Sequence, residues 1–195
     1  GHDIGGHMQP KGVKKTDPEL YTRWIQSGVF TPIFKTHSTK DMTMEKRFWV
    51  FPDHFDAMRK AIRLRYDLTP YIYTAARQAY DTGVSITRPL YYYWPEEDKA
   101  YTWKEEFMFG DDILATVVAK PVDAVTGLAE RTMWFPEGCD WYDVSTGTMY
   151  KGATEHTLLY TIDENPYFVK AGAVITMAGA DIKNLQEKSS EMRLF

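Results

Sequence analysis

The spacing of hydrophobic residues changes once along this chain, near residues 83–85. Before that point, apolar residues recur with the period of a helix, over residues 17–28 and again over 54–81. After it, short runs of β-branched and aromatic residues are separated by turn signals, which is typical of an antiparallel β-sandwich. The pattern predicts an α/β region over 1–83, an all-β region over 84–180, and a linker with the start of another strand over 181–195.

The first predicted helix has clear boundary signals. Asp17 can accept hydrogen bonds from free backbone N–H groups as the N-cap, and Pro18 suits the first helical position. Gly28 suits a left-handed cap at the C-terminus. An apolar stripe at helical spacing predicts the face that packs into a core. It comprises Leu20, Tyr21, Trp24 and Ile25.

Two short apolar stretches flank this helix and predict β-strands. Residues 1–7 read as the end of a buried strand that runs into a loop at Gly5-Gly6, and residues 29–34 predict a second strand that ends before His37. Strand, loop, helix and strand, with polar groups after the strand ends, is typical of the active face of a β/α barrel. Because a barrel has eight such units and this pattern supplies about two, we expect the chain to be the last part of a larger enzyme.

Proline, glycine and β-branched residues predict the remaining elements. Residues 35–52 predict a long irregular loop in which Trp49 packs as an anchor. Pro70 breaks the helical pattern near Leu68-Thr69, and Gly83 ends it. Strands are predicted at residues 84–94, 113–119, 131–135, 158–162, 167–169, 173–177 and 192–195.

Composition and charge exclude several classes of protein. Apolar residues make up 44% of the 195 residues, which is enough for a packed core. A net charge of −4 without a basic stripe argues against nucleic acid as a partner, and no apolar run approaches the ~20 residues that span a bilayer. Cys139 is the single cysteine, so no intrachain disulfide can form. The five histidines have no metal-ligand spacing, and we expect neither a metal site nor a cofactor.

Two polar residues after the predicted strands are candidates for binding a ligand. Asp3 precedes Gly5-Gly6, where a carboxylate is costly to bury unless it is hydrogen-bonded or binds something. The alternative is an aspartate that caps its own turn. His37 follows the second predicted strand at the same end, and a neutral imidazole can both donate and accept a hydrogen bond. The alternative for His37 is a partly exposed loop residue.

Other prominent side chains are assigned structural roles. Arg47 and Trp49 could contact a substrate from the loop, but packing is the favoured interpretation. Adjacent acidic residues on a strand point to opposite faces, so they are a poor catalytic pair and we expect them to be solvated turn charges. These acidic clusters are Glu96-Glu97-Asp98, Glu105-Glu106 and Asp111-Asp112. The tryptophans expected in the sandwich core are Trp94, Trp103, Trp134 and Trp141.

Eight motifs in the same order resemble glycoside hydrolase family 31, the retaining α-glucosidases and α-xylosidases. The first four are His2-Asp3-Ile4-Gly5-Gly6, Glu19-Leu20-Tyr21-x-Arg23-Trp24-x-Gln26-x-Gly28-x-Phe30-x-Pro32, Phe34-Lys35-x-His37, and Leu64-Arg65-Tyr66-x-Leu68-x-Pro70-Tyr71-Ile72-Tyr73. The other four are Thr87-Arg88-Pro89-Leu90, Glu106-Phe107-Met108-Phe109-Gly110, Phe135-Pro136-Glu137-Gly138-x-x-Trp141-Tyr142-Asp143, and Phe168-Val169-Lys170-Ala171-Gly172-Ala173. The resemblance therefore covers nearly the whole chain.

The resemblance implies the last two β/α units of a (β/α)8 TIM barrel, then a proximal antiparallel β-sandwich and the start of a distal one. The family's nucleophile and acid/base aspartates would precede Gly1, so no residue here is assigned a catalytic role. Asp3 and His37 match residues that hold the terminal sugar, and His7 stands where many members have a phenylalanine in the pocket wall. Lys35 stands where arginine is common and Glu106 where glutamine is common, and we expect these two to tune packing or a salt bridge.

The implied function is that of a fragment of a retaining, exo-acting α-glycosidase that hydrolyses terminal α-linked glucose from oligosaccharides. An α-xylosidase, an α-transglucosylase and a non-catalytic carbohydrate-binding module stay open as alternatives. The implied partners are an α-linked oligosaccharide and the remainder of the same polypeptide, with a homo-oligomer left open and no nucleic acid or membrane span. We expect the 195-residue chain alone to be inactive. The sequence leaves a bacterial periplasm or cytoplasm open.

Overall fold

The computed structural model describes residues 1–179, 184–187 and 193–194, and its helices precede most of its strands. The four α-helices are α1 (Pro18–Gly28), α2 (Phe55–Asp67), α3 (Thr69–Thr82) and α4 (Lys99–Thr102). Single 3-10 turns lie at Phe48–Val50, Pro52–His54 and Leu90–Tyr92. None of the helices in these described ranges is long and apolar enough to cross a membrane.

Helix α1 begins as the sequence predicts but ends differently. The Asp17 side chain accepts a hydrogen bond from the Leu20 N–H at 2.9 Å, and Pro18 is the first helical residue. The predicted left-handed cap at Gly28 is wrong, because the C-cap is Val29 in right-handed helical geometry. A Cβ at Gly28 would lie 2.5 Å from Cδ1 of Ile4, so glycine here permits close packing of the helix against the preceding segment.

The predicted strand over residues 29–34 is also wrong. Val29 and Phe30 continue the turns of the helix, with the Phe30 N–H bonded to the Ser27 carbonyl at 3.2 Å. Both side chains are fully buried, which explains why an apolar run suggested a strand. Residues 1–7, also predicted as the end of a strand, contribute only Ile4, which forms an isolated parallel bridge with Thr36. No closed barrel is present among the described residues.

The buried face of α1 combines apolar and polar side chains. Tyr21 and Ile25 are buried as predicted, whereas Leu20 is 59% exposed and the prediction for it is wrong. The buried polar residues are Thr22, Arg23 and Gln26. Two of them donate to backbone carbonyls of the region after residue 83, which we call the β-region: Arg23 to Thr161 at 3.0 Å and Gln26 to Ile162 at 2.7 Å. Hydrophobic periodicity missed this face because these partners are more than 130 residues away.

The break in the long helical segment is confirmed. Helix α2 ends at Asp67 and α3 begins at Thr69, with Pro70 in its first turn, where a missing N–H costs no helical hydrogen bond. Leu68 between them is fully buried. Gly83 then ends α3 with φ +74°, as predicted.

The β-region is predominantly antiparallel. The strands of the described residues are β1 (Thr87–Pro89), β2 (Glu106–Phe109), β3 (Ile113–Thr116), β4 (Ala129–Phe135), β5 (Trp141–Asp143), β6 (Met149–Tyr150), β7 (Thr154–Tyr160), β8 (Tyr167–Lys170), β9 (Thr176–Met177) and β10 (Arg193–Leu194). Six of them form one sheet in the order β1-β2-β3-β8-β5-β6, β4 pairs with β7, and β9 pairs with β10.

Strand boundaries depart from the sequence-based prediction in both directions. The predicted strand at 84–94 shortens to β1, because a 3-10 turn follows Pro89. Strands β2, β5 and β6 were not predicted from the spacing. A strand near 192–195 was predicted, and its described part, β10, pairs with β9. The rest of the predicted linker, at residues 180–183, 188–192 and 195, lies outside the described residues.

A shared aromatic core joins the six-stranded sheet to the β4–β7 ribbon. Trp134 and Phe135 of β4 pack with Trp141 of β5 and Phe168 of β8, and all four are at most 2% exposed. Trp94 and Trp103 are partly buried against the same cluster. The prediction that the four tryptophans of this region pack in its core is therefore confirmed.

Glu106 corrects the interpretation of the acidic clusters as solvated turns. Its side chain is fully buried in β2, and Oε1 accepts hydrogen bonds from the Trp134 N–H at 3.0 Å and from Arg131 at 3.1 Å. Burial raises the pKa of Glu106 to about 8, although Trp134 and Arg131 oppose the shift. Asp111 is also not a free turn charge, because it pairs with Arg88. Local spacing could not reveal these partners, which lie on other elements.

Candidate functional site

The candidate site begins where two loops meet. The Ile4 N–H donates to the Lys35 carbonyl at 3.2 Å, and the parallel bridge joins Ile4 to Thr36. Because the two segments run in the same direction, Asp3 and His37 lie at neighbouring positions on the same side of the molecule. A third link follows, since the Thr39 N–H donates to the carbonyl of His7 at 2.8 Å.

The Asp3 carboxylate has a cationic or imidazole partner on each oxygen. Lys35 Nζ lies 2.8 Å from Oδ1, and His7 Nδ1 lies 3.3 Å from Oδ2. The side chain is 25% exposed, so it can still meet a ligand. The hydrogen bond from Lys35 lowers the pKa of Asp3, and the charge of Lys35 and the nearby imidazoles of His37 and His7 act in the same direction. Asp3 is therefore ionised at neutral pH.

The two histidines lie side by side. The ring centroids of His7 and His37 are 5.1 Å apart with planes tilted by 34°, and both residues are exposed. With Asp3 and Lys35 they form what we call the Asp3 cluster. The cluster presents one ionised carboxylate, two imidazoles and one ammonium group, which together can accept and donate several hydrogen bonds. Adjacent hydroxyl groups are a chemical match for such a set.

An aromatic pair lies beside the cluster. The His2 ring stacks on Trp24 with centroids 5.9 Å apart and planes 21° apart. Burial lowers the pKa of His2. Trp24 is only half-buried and also lies against Gly6, so it does not belong wholly to the helix core as predicted. The aromatic pair thus connects helix α1 to the glycine loop that carries Asp3.

The long loop behaves differently from its sequence-based prediction. Trp49 is 60% exposed and touches Phe48 edge-on, so the prediction that Trp49 anchors the loop by packing is wrong. Arg47 pairs with Glu45 at 2.6 Å. Lys46, which sequence reasoning missed, also joins this loop to the candidate site, because its ammonium group reaches the carbonyls of Ile4 and Gly6. Its carbonyl partners are 40 and 42 residues away, so no local signal could have identified it.

The site offers no cluster for a metal ion within the described part of the chain, where no group of three histidine, cysteine, aspartate or glutamate side chains is suitably placed. Asp3 and His37 lie in a single cluster, although an isolated bridge and not two strands joins their segments, and His7 lies between them in contact with both.

Two family models match this chain along most of its length. The model described as the glycosyl hydrolases family 31 TIM-barrel domain matches residues 1–75. The model described as the glycosyl hydrolase family 31 C-terminal domain matches residues 83–175. The point between the two matches coincides with the change in hydrophobic spacing near residues 83–85.

Curated relatives resemble nearly the whole chain. Alpha-glucosidase 2 of Bacillus thermoamyloliquefaciens is 31% identical over 194 residues, which are 99% of this chain and 23% of the relative. An alpha-xylosidase of Saccharolobus solfataricus is 34% identical over 186 residues, which are 95% of this chain and 24% of the relative. The chain thus spans about a quarter of the length of these relatives.

Solved structures show the same similarity in three dimensions. A Flavobacterium johnsoniae dextranase, solved with isomaltotriose, superposes with a TM-score of 0.77 at 32% identity. That match covers 90% of this chain and 21% of the dextranase. An alpha-xylosidase from Xanthomonas citri also has a TM-score of 0.77, at 30% identity, over 90% of this chain and 19% of that one.

Proposed function

Because this chain belongs to glycoside hydrolase family 31, we propose that it is the sugar-holding part of a retaining, exo-acting α-glycosidase that removes terminal α-linked glucose. Residues 1–83 would supply the last two β/α units of a catalytic barrel and residues 84–180 its proximal β-sandwich, with a linker to a distal domain over 181–195. The substrate would be an α-linked oligosaccharide, and the other barrel units its intramolecular partner.

The observation that carries this proposal is the Asp3 cluster. An ionised, partly exposed carboxylate lies between Lys35 and two exposed histidines, on loops joined by a parallel bridge. Asp3 would accept hydrogen bonds from two adjacent sugar hydroxyls. His37 would donate or accept a third, and His7 would form the pocket wall. The match to the family's sugar-holding aspartate and histidine supports these roles.

The chain's contribution to the reaction would be binding. Retaining glycosidases use two carboxyl groups about 5–5.5 Å apart, one as nucleophile and one as acid/base. The resemblance assigns both to earlier barrel strands, so no residue of this chain is given a proton-transfer or covalent role. Hydrogen bonds from the Asp3 cluster that tighten as the sugar approaches its oxocarbenium-like transition state would lower the barrier, since only differential binding accelerates the chemical step.

A second candidate within the family is an α-xylosidase. One xylosidase relative is 34% identical to this chain, compared with 31% for a glucosidase relative, so identity does not favour glucose. His7 also replaces the phenylalanine that is common in the pocket wall. Hydrolysis rates of aryl α-glucoside and aryl α-xyloside by the full-length protein separate the two candidates directly.

The decisive experiment substitutes His37 in the full-length protein that carries this chain. We expect His37→Ala to lower kcat/KM for an aryl α-glycoside about tenfold or more, because one hydrogen bond to a polar transition state is lost. Thermal stability should stay near the wild-type value, since His37 is exposed. His156→Ala removes an exposed histidine of β7 that touches the rings of Phe135 and Tyr150; it is the matched control for activity and should leave kcat/KM unchanged.

Wild-type kcat/KM in His37→Ala would refute the role assigned to His37. Two other results together would favour the non-catalytic binding module. The full-length protein would hydrolyse no α-glycoside, and residues 84–180 alone would bind an oligosaccharide.

A further inference from the structure

Lys46 connects the long loop to the turn that carries Asp3. Its ammonium group donates hydrogen bonds to the carbonyl of Ile4 at 3.2 Å and to the carbonyl of Gly6 at 3.0 Å. These two carbonyls flank Gly5, so a single side chain holds both ends of the glycine pair. Charged donors form stronger hydrogen bonds to carbonyls than neutral donors do.

The turn formed by residues 3–6 packs closely against the Lys46 ammonium group. The Gly6 N–H donates to the Asp3 carbonyl at 2.8 Å, which closes a four-residue turn, and Gly5 has φ +83° as the third residue of a type II turn requires. A Cβ at Gly5 would collide with Lys46 Nζ and with the ring of Tyr21. Glycine is therefore needed here both for its backbone conformation and for the approach of the ammonium group.

Helix α1 holds Lys46 from the opposite side. The Tyr21 ring centroid lies 5.4 Å from Lys46 Nζ, and the Tyr21 hydroxyl donates to the Lys46 carbonyl at 2.8 Å. Tyr21 is only 1% exposed and its helix is anchored to the β-region by buried side chains. The position of the ammonium group is thus set by a rigid element, which then sets the position of the turn.

The partial burial of the Lys46 ammonium group costs desolvation free energy, which points to a role beyond packing. Burial lowers the pKa of Lys46, since the partly buried ammonium loses water, while Asp3 opposes the shift from a distance. Among the described residues, the recorded partners of the ammonium are two neutral carbonyls and one aromatic face. A methionine would fill similar space without that desolvation cost. The charged group therefore serves to hold the backbone carbonyls of the turn in place.

We propose that Lys46 is a positioning residue for the sugar-holding carboxylate: it fixes the Asp3–Gly6 turn so that Asp3 meets the substrate hydroxyls at the correct distance. The inference rests on the proposed function of the Asp3 cluster. Lys35 contacts the carboxylate directly, whereas Lys46 acts through the backbone behind it. Loss of Lys46 should therefore loosen the turn without removing any group that touches the sugar.

The test compares three variants of the full-length protein. Lys46→Met removes the charge and keeps the aliphatic stem over Tyr21, Lys46→Arg keeps the charge, and Lys40→Met removes an exposed lysine from the same loop. We expect Lys46→Met to raise KM for an aryl α-glucoside, and the inhibition constant of glucose, about tenfold. Lys46→Arg should recover part of this loss, and Lys40→Met should match the wild type.

Amide hydrogen exchange supplies a readout that does not depend on activity. Exchange in residues 3–8 should accelerate in Lys46→Met, while helix α3 and the strands of the six-stranded sheet keep their wild-type protection. Unchanged exchange in residues 3–8, or an unchanged KM, would overturn the inference. Loss of protection throughout the protein would overturn it too, because Lys46 would then be needed for folding. If the wild type hydrolyses no α-glycoside, the proposed function fails, and exchange still tests whether Lys46 fixes the turn.

Discussion

The β-region and the candidate site are held together by different interactions. In the β-region, large aromatic side chains are buried between the six-stranded sheet and the β4–β7 ribbon. Around the site, the long loop of residues 35–52 contains no strand, only the single bridge residue Thr36. Hydrogen bonds from side chains to backbone carbonyls hold this loop in place. Three such bonds run from Gln9 to Thr43, from Thr16 to Glu45, and from Lys46 to Gly6, at 3.0–3.1 Å.

This difference separates stability from ligand binding. Burial of an aromatic ring contributes in proportion to area and tolerates small shifts of the backbone. A hydrogen bond to a carbonyl adds little net free energy, but it restrains distance and direction. Substitutions in the aromatic core of the β-region should therefore destabilise the protein, whereas substitutions around the Asp3 cluster should change affinity with little loss of stability.

The largest expected effect follows from Phe168 in the aromatic core. It is fully buried and packs edge-to-face against Phe135, with ring centroids 4.8 Å apart. Phe168→Ala should lower the free energy of unfolding by about 3–5 kcal/mol, because it removes buried area and leaves a cavity. Trp49→Ala, which truncates an exposed aromatic in the long loop, should cost less than about 1 kcal/mol. Urea unfolding followed by circular dichroism measures both, and equal losses would refute the contrast.

The buried carboxylate of β2 predicts a pH dependence within the β-region. The pKa of Glu106 rises from 4.5 to about 8 on folding, so the folded state binds more protons than the unfolded state between these values. The contribution of Glu106 to stability should therefore be greatest at pH 4.5 and below. It should be lost as pH rises from 4.5 through about 8, by at most about 1.4 kcal/mol per pH unit. The charged groups that face Glu106 are Arg131, Glu105 and Glu155.

Glu106→Gln should flatten this dependence and stabilise the protein at pH 9 relative to the wild type. Glu130→Gln is the matched control, because this carboxylate of β4 is about half exposed and pairs with Lys120, so the slope should stay unchanged. Unfolding free energies at pH 5, 7 and 9 test the prediction. A wild-type slope in Glu106→Gln would show that Glu106 is ionised in the folded protein at all three values.

The smallest expected effect concerns the junction between the two regions. The Gln26 side chain donates to the Ile162 carbonyl at 2.7 Å and accepts from Arg23 at 3.2 Å. Gln26→Ala should lower the free energy of unfolding by about 1–2 kcal/mol, because the partly buried carbonyl of Ile162 and the buried guanidinium of Arg23 each lose a partner. Gln78→Ala, at an exposed position on α3, should be neutral. Thermal unfolding of both variants is the measurement. A loss of stability in Gln26→Ala but not in Gln78→Ala would show that the Gln26 bonds stabilise the junction, and equal stability of the two variants would contradict it.

Local chemical signals were sufficient for several elements. The start of α1 at Asp17-Pro18, the break at Pro70 and the end of α3 at Gly83 each depend on the backbone preferences of one or two residues. The eight motifs in order also indicated the family, and the two family models confirm that membership. The roles of Asp3, His7 and His37 stay predictions until they are tested.

Long-range contacts decided what these signals could not. Residues 29–34 have the composition of a buried strand, but three of their carbonyls accept hydrogen bonds from the Arg65 guanidinium of α2 instead of from a neighbouring strand. The sequence predicts Glu106 to be a surface charge, but in the structure it is buried and accepts hydrogen bonds from Trp134 and Arg131 of another strand. Lys46 has no distinguishing neighbour in the sequence and acquires its partners only when the loop folds back over Gly5. Backbone preference is set within a few residues, whereas burial and hydrogen-bond partners exist only after distant segments pack together.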